Sequence, residues 1–208
     1  MCGIVAYIGD DKAGPILFDT LKRLEYRGYD SAGVAVISQG SVEVLKSSGR
    51  IVDLEKTYKS MGSPGEGMGI GHTRWATHGR PSDINAHPHT SGEIAIVHNG
   101  IIENYLDLRD LLTEMGYEFQ SETDSEVLAH LIHFYYKGDL CAATLKALEK
   151  VEGSYAIAVM AASSPYIVCA RYESPLVIGK GSSSVFVASE IPALLPYTKD
   201  VIRLKDGN

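Results

Sequence analysis

The sequence contains few cysteines, and they are far apart. Its 208 residues include three of them, Cys2, Cys141 and Cys169, with no Cys-x-x-Cys pair. An odd number of widely spaced cysteines argues against a disulfide framework and against a thiolate metal site. We therefore expect a protein of the reducing cytoplasm that holds no metal.

Long apolar runs and an excess of positive charge are also missing. No segment approaches the ~18 continuous apolar residues of a membrane span, and the N-terminus lacks the pattern of a signal peptide. The formal net charge of −7 disfavours nucleic acid as a partner. With 45% hydrophobic and 22% charged residues, the composition predicts a soluble globular protein with one domain over residues 1–208.

Short runs with alternating or β-branched residues predict a chain rich in strands. The predicted strands lie at residues 3–8, 33–37, 42–46, 93–98, 154–160, 166–170, 176–178, 185–188 and 201–204. Residues 61–69 are rich in glycine and predict a surface loop. The glycines at 65, 67, 69 and 71 lack the ending and context of a phosphate-binding loop, so we exclude that function.

Apolar residues at helical spacing predict four helices. One contains Ile16 to Leu24 and ends before Gly28, a second runs from Tyr105 to Met115, and a fourth covers residues 140–151. The third begins at Thr123-Asp124-Ser125-Glu126, which has the pattern of a capping box. Because strand pairs with short turns outnumber helical crossovers, we expect mostly antiparallel sheets with helices layered on them, an α+β protein.

Cys2 follows the initiator methionine, so removal of Met1 gives a thiol and a free α-amine on one residue. A thiol is a weak nucleophile until it loses its proton, and an N-terminal amine with a pKa near ~8 can accept that proton. The alternative interpretation is a small buried hydrophobic residue without chemistry.

Two polar clusters could form a binding pocket. In the first, residues 26–33 place Arg27 in a turn, with Gly28 as a helix stop in the simpler interpretation. In the second, residues 72–79 contain Arg74, whose guanidinium can bind a carboxylate through two parallel hydrogen bonds. The alternative for this cluster is a surface loop in which Trp75 packs against a neighbouring core. Its histidines lack ligands at the usual zinc spacing.

Two further positions have both a structural and a functional interpretation. Asn99-Gly100 is typical of a type I′ hairpin turn, but at a strand end it can also present two N–H donors to a developing oxyanion. Asp124 can stabilise a helix dipole, or it can bind an ammonium group.

Together these blocks resemble one family, the N-terminal glutaminase domain of glutamine–fructose-6-phosphate aminotransferases. The resemblance covers essentially the whole chain. It is carried by the blocks at residues 2–5, 24–33, 71–79, 85–89, 98–104, 121–124 and 174–179, which occur in the family's order. It implies an N-terminal-nucleophile hydrolase fold, a four-layer αββα sandwich of two mostly antiparallel sheets between helices.

The resemblance also implies the roles of individual residues. Cys2 would attack the side-chain amide of L-glutamine, with its own α-amine as base, and form a glutamyl thioester that water hydrolyses. The remaining positions are Asn99 and Gly100 in the oxyanion hole, Arg74 at the α-carboxylate, Asp124 at the α-ammonium, Thr77 and His78 in a closing loop, Trp75 at the ammonia exit and Arg27 in the wall. No metal or organic cofactor is implied.

In this family the glutaminase domain is linked to two sugar-isomerase domains that bind fructose 6-phosphate and receive the ammonia. Those domains are absent from this sequence, and the full-length proteins are expected to be homodimers. The alternatives are the glutaminase domain of another amidotransferase, such as amidophosphoribosyltransferase, and a non-catalytic module that keeps the fold. Retention of both Cys2 and Asn99 argues against the second alternative.

Overall fold

A computed structural model describes residues 2–75 and 79–207 of the chain. Its strands are β1 (Gly3–Gly9), β2 (Ser31–Ser38), β3 (Ser41–Ser48), β4 (Met68–Arg74), β5 (His89–Ser91), β6 (Ile94–Ile102), β7 (Gly153–Ala161), β8 (Val168–Tyr172), β9 (Val177–Lys180), β10 (Ser184–Ala188) and β11 (Val201–Arg203). Its α-helices are α1 (Ala13–Lys22), α2 (Ile51–Ser60), α3 (Tyr105–Glu114), α4 (Ser125–Tyr135), α5 (Leu140–Leu148) and α6 (Ile191–Leu194), and Glu25–Arg27 form a 3₁₀ turn.

The strands form two sheets. A seven-stranded sheet has the order β11-β9-β10-β1-β4-β2-β3, and a four-stranded sheet has the order β5-β6-β7-β8. Neighbouring strands pair antiparallel in both sheets. The first strand of the chain therefore lies at the centre of the larger sheet, with Cys2 directly before it.

Three apolar clusters show how the layers stack. One joins the outer face of the larger sheet to α1, α2 and α6. Another joins the smaller sheet to α3, α4 and α5. The third lies between the sheets, where Ile4 and Ile70 of one face Val97 and Met160 of the other. The arrangement is helix, sheet, sheet, helix, and it confirms the α+β, four-layer prediction.

Most predicted strands and helices are present, but β4, β5, α2 and α6 differ from the prediction or were missed. Strand β4 begins at Met68, inside the predicted loop, and α2 was not predicted at all. The capping box was also wrong in its contacts. Helix α4 begins at Ser125, and the carboxylate of Glu126 accepts bonds from the N–H groups of Gln120 and Ser121 at 3.0 and 2.7 Å.

Gly28 does not end a helix in a left-handed conformation, because its φ is −171°. A Cβ there would lie 2.6 Å from the carbonyl carbon of Arg74. The position therefore requires glycine because the end of β4 approaches the backbone closely. In the part of the chain that the structure describes, no helix has the length and apolarity needed to cross a membrane.

Candidate active site

Cys2 lies directly before β1, next to the end of β4. The pairing of Gly3 with Thr73 brings Cys2 beside Trp75, whose N–H donates to Sγ at 3.2 Å. Burial raises the pKa of the Cys2 thiol, while the Trp75 bond and the charges of Arg74 and Arg27 oppose this shift. A thiol in this environment needs a base before it can act as a nucleophile at neutral pH.

Asn99 and Gly100 lie within strand β6 of the other sheet. The hairpin-turn interpretation is therefore wrong, since the two residues pair with Ala156 and Tyr155 of β7. Gly100 has a φ of 134°, and a Cβ there would lie 2.0 Å from the carbonyl oxygen of Ser154. This departure from ordinary strand geometry is available to glycine and requires that residue here.

Three partners fix the orientation of the Asn99 amide. Nδ2 donates to the carbonyl oxygen of Cys2 at 3.2 Å and to Oγ of Ser189 at 3.1 Å. On its other side, Oδ1 lies 2.9 Å from Nε2 of His72. Because a carbonyl oxygen only accepts, the Cys2 contact identifies Nδ2, and His72 must carry its proton on Nε2.

Arg74 ends β4 and is 4% exposed. One of its guanidinium nitrogens donates to the carbonyl oxygen of Gly79 at 3.2 Å. Burial lowers the pKa of Arg74, and the negative charges of thiolate Cys2 and of Asp124 oppose that shift. Trp75, by contrast, is 45% exposed and lies edge-on to Tyr29, with ring centroids 5.8 Å apart. It does not fill a core.

Asp124 lies just before α4 and is 5% exposed. Its carboxylate accepts from the backbone N–H of Ile102 at 2.9 Å and from the hydroxyl of Ser125 at 3.3 Å. That hydroxyl lies 2.8 Å from Nδ1 of His98. The carboxylate is thus held at the end of β6 by two donors, and the N–H groups of the helix that follows do not cap it.

Cys2, Arg74, Asn99, Gly100 and Asp124 line one cavity. Trp75, His87, His98, Thr123 and Ser125 complete its lining. The cavity measures about 30 Å³, enough for about one or two water molecules. The cavity brings together a thiol, amide and backbone N–H groups, one buried cation and one buried carboxylate.

Arg27, in the 3₁₀ turn, contacts the backbone of Cys2. Its Nε donates to the carbonyl oxygen of Cys2 at 3.0 Å, and its guanidinium forms an ion pair with Glu190. The side chain is 5% exposed. These contacts place Arg27 against the backbone of the N-terminal residue.

Ser189 and Glu190 were not singled out from the sequence. Ser189 follows β10 and is paired with Ile4 of β1, whose N–H donates to its Oγ at 2.7 Å. A serine and a glutamate at the end of a strand have no distinctive local pattern. The only sequence signal is that they are polar residues directly after an apolar strand, and that signal occurs at most strand ends.

Thr77 and His78 lie outside the described residues, so their predicted place in the glutamine pocket stays a prediction. Within residues 2–75 and 79–207, no three His, Cys, Asp or Glu side chains are grouped so that they could hold a metal ion. The buried histidines are instead packed on one another, and His72 stacks on His87 with ring centroids 4.2 Å apart.

A cysteine at the start of the central strand of a four-layer sandwich is the arrangement of an N-terminal-nucleophile protein. The family model described as "Glutamine amidotransferase domain" matches residues 72–196. The chain therefore belongs to the glutamine amidotransferase domain family.

Named proteins are similar to this chain over its whole length. A protein of Clostridium tetani named glutamine–fructose-6-phosphate aminotransferase (isomerizing) is 56% identical over 100% of this chain and 34% of its own length. The protein of the same name from Aquifex aeolicus is 53% identical, over 100% of this chain and 35% of its own length. This chain thus spans about a third of the length of these relatives, which continue into further sequence that it does not contain.

Solved structures agree on the fold. The glutamine phosphoribosylpyrophosphate amidotransferase of Bacillus subtilis superposes with a TM-score of 0.86 at 27% identity, over 99% of this chain and 46% of that chain. A glutamine aminotransferase class-II domain protein from Silicibacter pomeroyi has a TM-score of 0.67 at 18% identity, over 99% and 92% of the two chains. The second likeness bears on the fold alone.

Proposed function

We propose that this chain hydrolyses L-glutamine to L-glutamate and ammonia through a thioester on Cys2. The observation that carries the proposal is the pair of opposite charges, Arg74 and Asp124, buried in the wall of the cavity that contains the thiol. A free amino acid carries one carboxylate and one ammonium group, so it needs one fixed cation and one fixed anion. A ligand that supplies both groups fits this pair of side chains, because a guanidinium can bind a carboxylate through two hydrogen bonds and a carboxylate can accept from an ammonium group.

The reaction begins once Met1 is removed. The α-amine of Cys2 takes the thiol proton, and the thiolate attacks the side-chain amide carbon of glutamine. The oxyanion that forms accepts from the N–H of Gly100 and from Nδ2 of Asn99, whose hydrogen bond to the carbonyl oxygen of Cys2 becomes shared between the two acceptors. The carbon–nitrogen bond then breaks, and the amine returns its proton to the departing ammonia. Water adds to the thioester carbon, glutamate leaves, and the sulfur regains its proton.

The raised pKa of Cys2 explains why this chemistry needs an adjacent base. Burial raises the pKa of the thiol, so little thiolate forms spontaneously at neutral pH. An α-amine with an ordinary pKa near ~8 is close enough to neutrality to take the proton. In the same proposal, Thr77 and His78 contact the bound glutamine, Arg27 belongs to the site wall and exposed Trp75 borders the path by which ammonia leaves.

The wider context of the reaction belongs to this proposal as well. The relatives named glutamine–fructose-6-phosphate aminotransferase are about three times as long as this chain, which spans 34% of the Clostridium tetani protein. In a protein of that length, the ammonia would pass to linked sugar-isomerase domains holding fructose 6-phosphate, within a homodimer. A cytoplasmic location fits a nucleophile that must remain a reduced thiol.

The experiment is an ammonia-release assay on purified protein, with intact mass measured first to establish that Met1 has been removed. We expect ammonia and glutamate in equal amounts from L-glutamine, and complete loss of activity in Cys2→Ala. Cys141→Ala is the matched control, because Cys141 is an exposed thiol on α5, and it should keep full activity. Activity in Cys2→Ala equal to that of the parent chain would refute the mechanism.

A further inference from the structure

The carbonyl oxygen of Cys2 is held by two donors that come from different parts of the chain. One is Nε of Arg27 at 3.0 Å and the other is Nδ2 of Asn99 at 3.2 Å. Two hydrogen bonds to one carbonyl fix the peptide plane that follows the N-terminal residue, and thereby the direction from which its Cα presents the thiol and the α-amine. Whatever orients the two donors therefore orients the nucleophile.

Each donor is itself held by a residue at the end of β10. The hydroxyl of Ser189 accepts from Nδ2 of Asn99 at 3.1 Å, and the carboxylate of Glu190 forms an ion pair with Arg27. Both residues lie directly beyond β10, which ends at Ala188.

We propose that Ser189 and Glu190 are positioning residues of this site. Ser189 orients the amide of Asn99, and Glu190 orients the guanidinium of Arg27. Neither lines the cavity that contains Cys2, Arg74 and Asp124, so both act through other residues. The inference rests on the proposed glutaminase reaction for its kinetic consequence, although the geometry exists without it.

Burial and connectivity support a positioning role for Ser189. The residue is 1% exposed, and its Oγ accepts at once from Asn99 and, at 2.7 Å, from the N–H of Ile4 in β1. Its own N–H donates to the carbonyl oxygen of Ile4 at 3.0 Å. Ser189 thus connects β1 to Asn99 of β6. Its contact on β1 is Ile4, which is two residues from Cys2.

The remaining contact of Asn99 gives the amide only one stable orientation. Oδ1 accepts from Nε2 of His72 at 2.9 Å, and burial lowers the pKa of His72 to about 3. His72 therefore stays neutral near neutral pH, and only one of its two ring nitrogens carries a proton. With Nε2–H of His72 on one side and the carbonyl oxygen of Cys2 on the other, a flipped amide would face a donor with a donor and an acceptor with an acceptor.

The test is a double-mutant cycle on Ser189 and Asn99, read as kcat and KM for glutamine. Ser189→Ala should lower kcat about tenfold and leave KM within about twofold, because a misdirected amide weakens the oxyanion contact rather than binding of the amino acid. In an Asn99→Ala background, the same change should cost less than about twofold, since the residue it orients has gone. An equal loss of kcat in both backgrounds overturns the proposal.

A matched control separates positioning from a general loss of stability. Thr144 in α5 is 1% exposed, and its hydroxyl donates to the carbonyl oxygen of Leu140 at 2.7 Å, far from the cavity. Thr144→Val also removes one buried hydroxyl and should leave kcat unchanged. Glu190→Gln is the second variant, and its expected loss of kcat, about threefold or more, should be largely absent when Arg27 is replaced by Lys. Unchanged kcat in both Ser189→Ala and Glu190→Gln overturns the proposal.

A measurement without turnover keeps this inference separate from the proposed function. The side-chain amide signals of Asn99, assigned in an NMR spectrum by their loss in Asn99→Asp, should shift and exchange faster with water in Ser189→Ala. They should stay unchanged in Thr144→Val. If they do not move in Ser189→Ala, the positioning is wrong even if the chain is a glutaminase. If they move but the parent chain releases no ammonia, only the proposed reaction fails.

Discussion

Arg74 and Asp124 are the residues whose burial most needs an explanation. Each is about 95% buried, and both line the cavity that contains Cys2. Arg74 donates to the carbonyl oxygen of Gly79, and Asp124 accepts from the N–H of Ile102 and the hydroxyl of Ser125. These contacts position two opposite charges in the wall of one cavity. A ligand with a carboxylate and an ammonium group would complement both charges.

Arg74→Lys should raise the KM for glutamine about tenfold or more and lower kcat by less than about threefold. Lysine keeps the charge but loses the planar pair of donors that suits a carboxylate, and this contact serves binding more than the chemical step. The measurement is a full saturation curve for glutamine hydrolysis. Arg23→Lys is the control, because Arg23 pairs with Asp19 on the outer surface of α1. An unchanged KM in Arg74→Lys would show that the carboxylate binds elsewhere.

At the scale of elements, strand β6 carries the donors predicted for the oxyanion hole. Asn99 and Gly100 continue the ladder with β7, so the site is built into a sheet and is not placed on a flexible turn. Because β7 lies so close, residue 100 must be a glycine.

Gly100→Ala should lower the free energy of unfolding by about 3 kcal/mol, because the new Cβ would lie 2.0 Å from the carbonyl oxygen of Ser154 and force β6 and β7 apart. Gly116→Ala is the matched control. Gly116 also has a positive φ, 91°, but a Cβ there meets nothing within 4 Å, so only backbone strain of about 1 kcal/mol is expected. Urea unfolding measures both. Equal losses of unfolding free energy in the two variants would show that β7 can move away from the new Cβ without destabilising the fold.

The elements missed in the sequence show where local patterns stop being informative. Strand β4 alternates glycine with larger residues, and glycine is depleted in strands. The reason for those glycines is tertiary, because a Cβ at Gly71 would lie 2.9 Å from Leu21 of α1. Helix α2 did have a readable signal, since Ile51, Leu54 and Tyr58 are its buried residues at helical spacing.

Part of the site could be predicted because its residues lie in distinctive local patterns. Cys2, Arg74, Asn99 and Asp124 stood in distinctive blocks, and the fold brings all four to one cavity. Ser189 had no such block, because its role depends on the pairing of β10 with β1, which joins residues more than 180 positions apart. Long-range strand pairing of this kind cannot be deduced from spacing along the chain.

At the scale of the whole molecule, histidines are buried between the two sheets near the site. His72 stacks on His87, and His87 lies edge-on to His89 at 4.6 Å. Burial lowers the pKa of each, to about 3 for His72. The charge of Arg74 adds to the shift in all three, and near His89 the charge of Lys46 lowers the pKa further while that of Glu126 raises it.

These shifts make the folded chain sensitive to mild acid. An unfolded histidine binds a proton as pH falls through about 6.5, whereas a buried one here does not. The unfolded state therefore binds more protons in acid. As the pH decreases below about 6.5, each such histidine lowers the free energy of unfolding by up to about 1 kcal/mol per pH unit. Glu126, whose pKa is lowered to about 2, adds its own loss only below about pH 4.5.

Stability should be measured by urea unfolding at about pH 7.5, 6.0 and 5.0, which span the ordinary histidine pKa of about 6.5. We expect the free energy of unfolding to fall steeply between the two lower pH values. In His87→Phe that fall should be less steep. Within the described residues neither ring nitrogen of His87 has a hydrogen-bond partner, so a phenyl ring keeps the stacking and removes only the proton site. Ile96→Val, a change in the buried core, should lower stability by about 1 kcal/mol equally at every pH. If His87→Phe and the parent chain lose stability in parallel, the buried histidines do not set the acid limit of this fold.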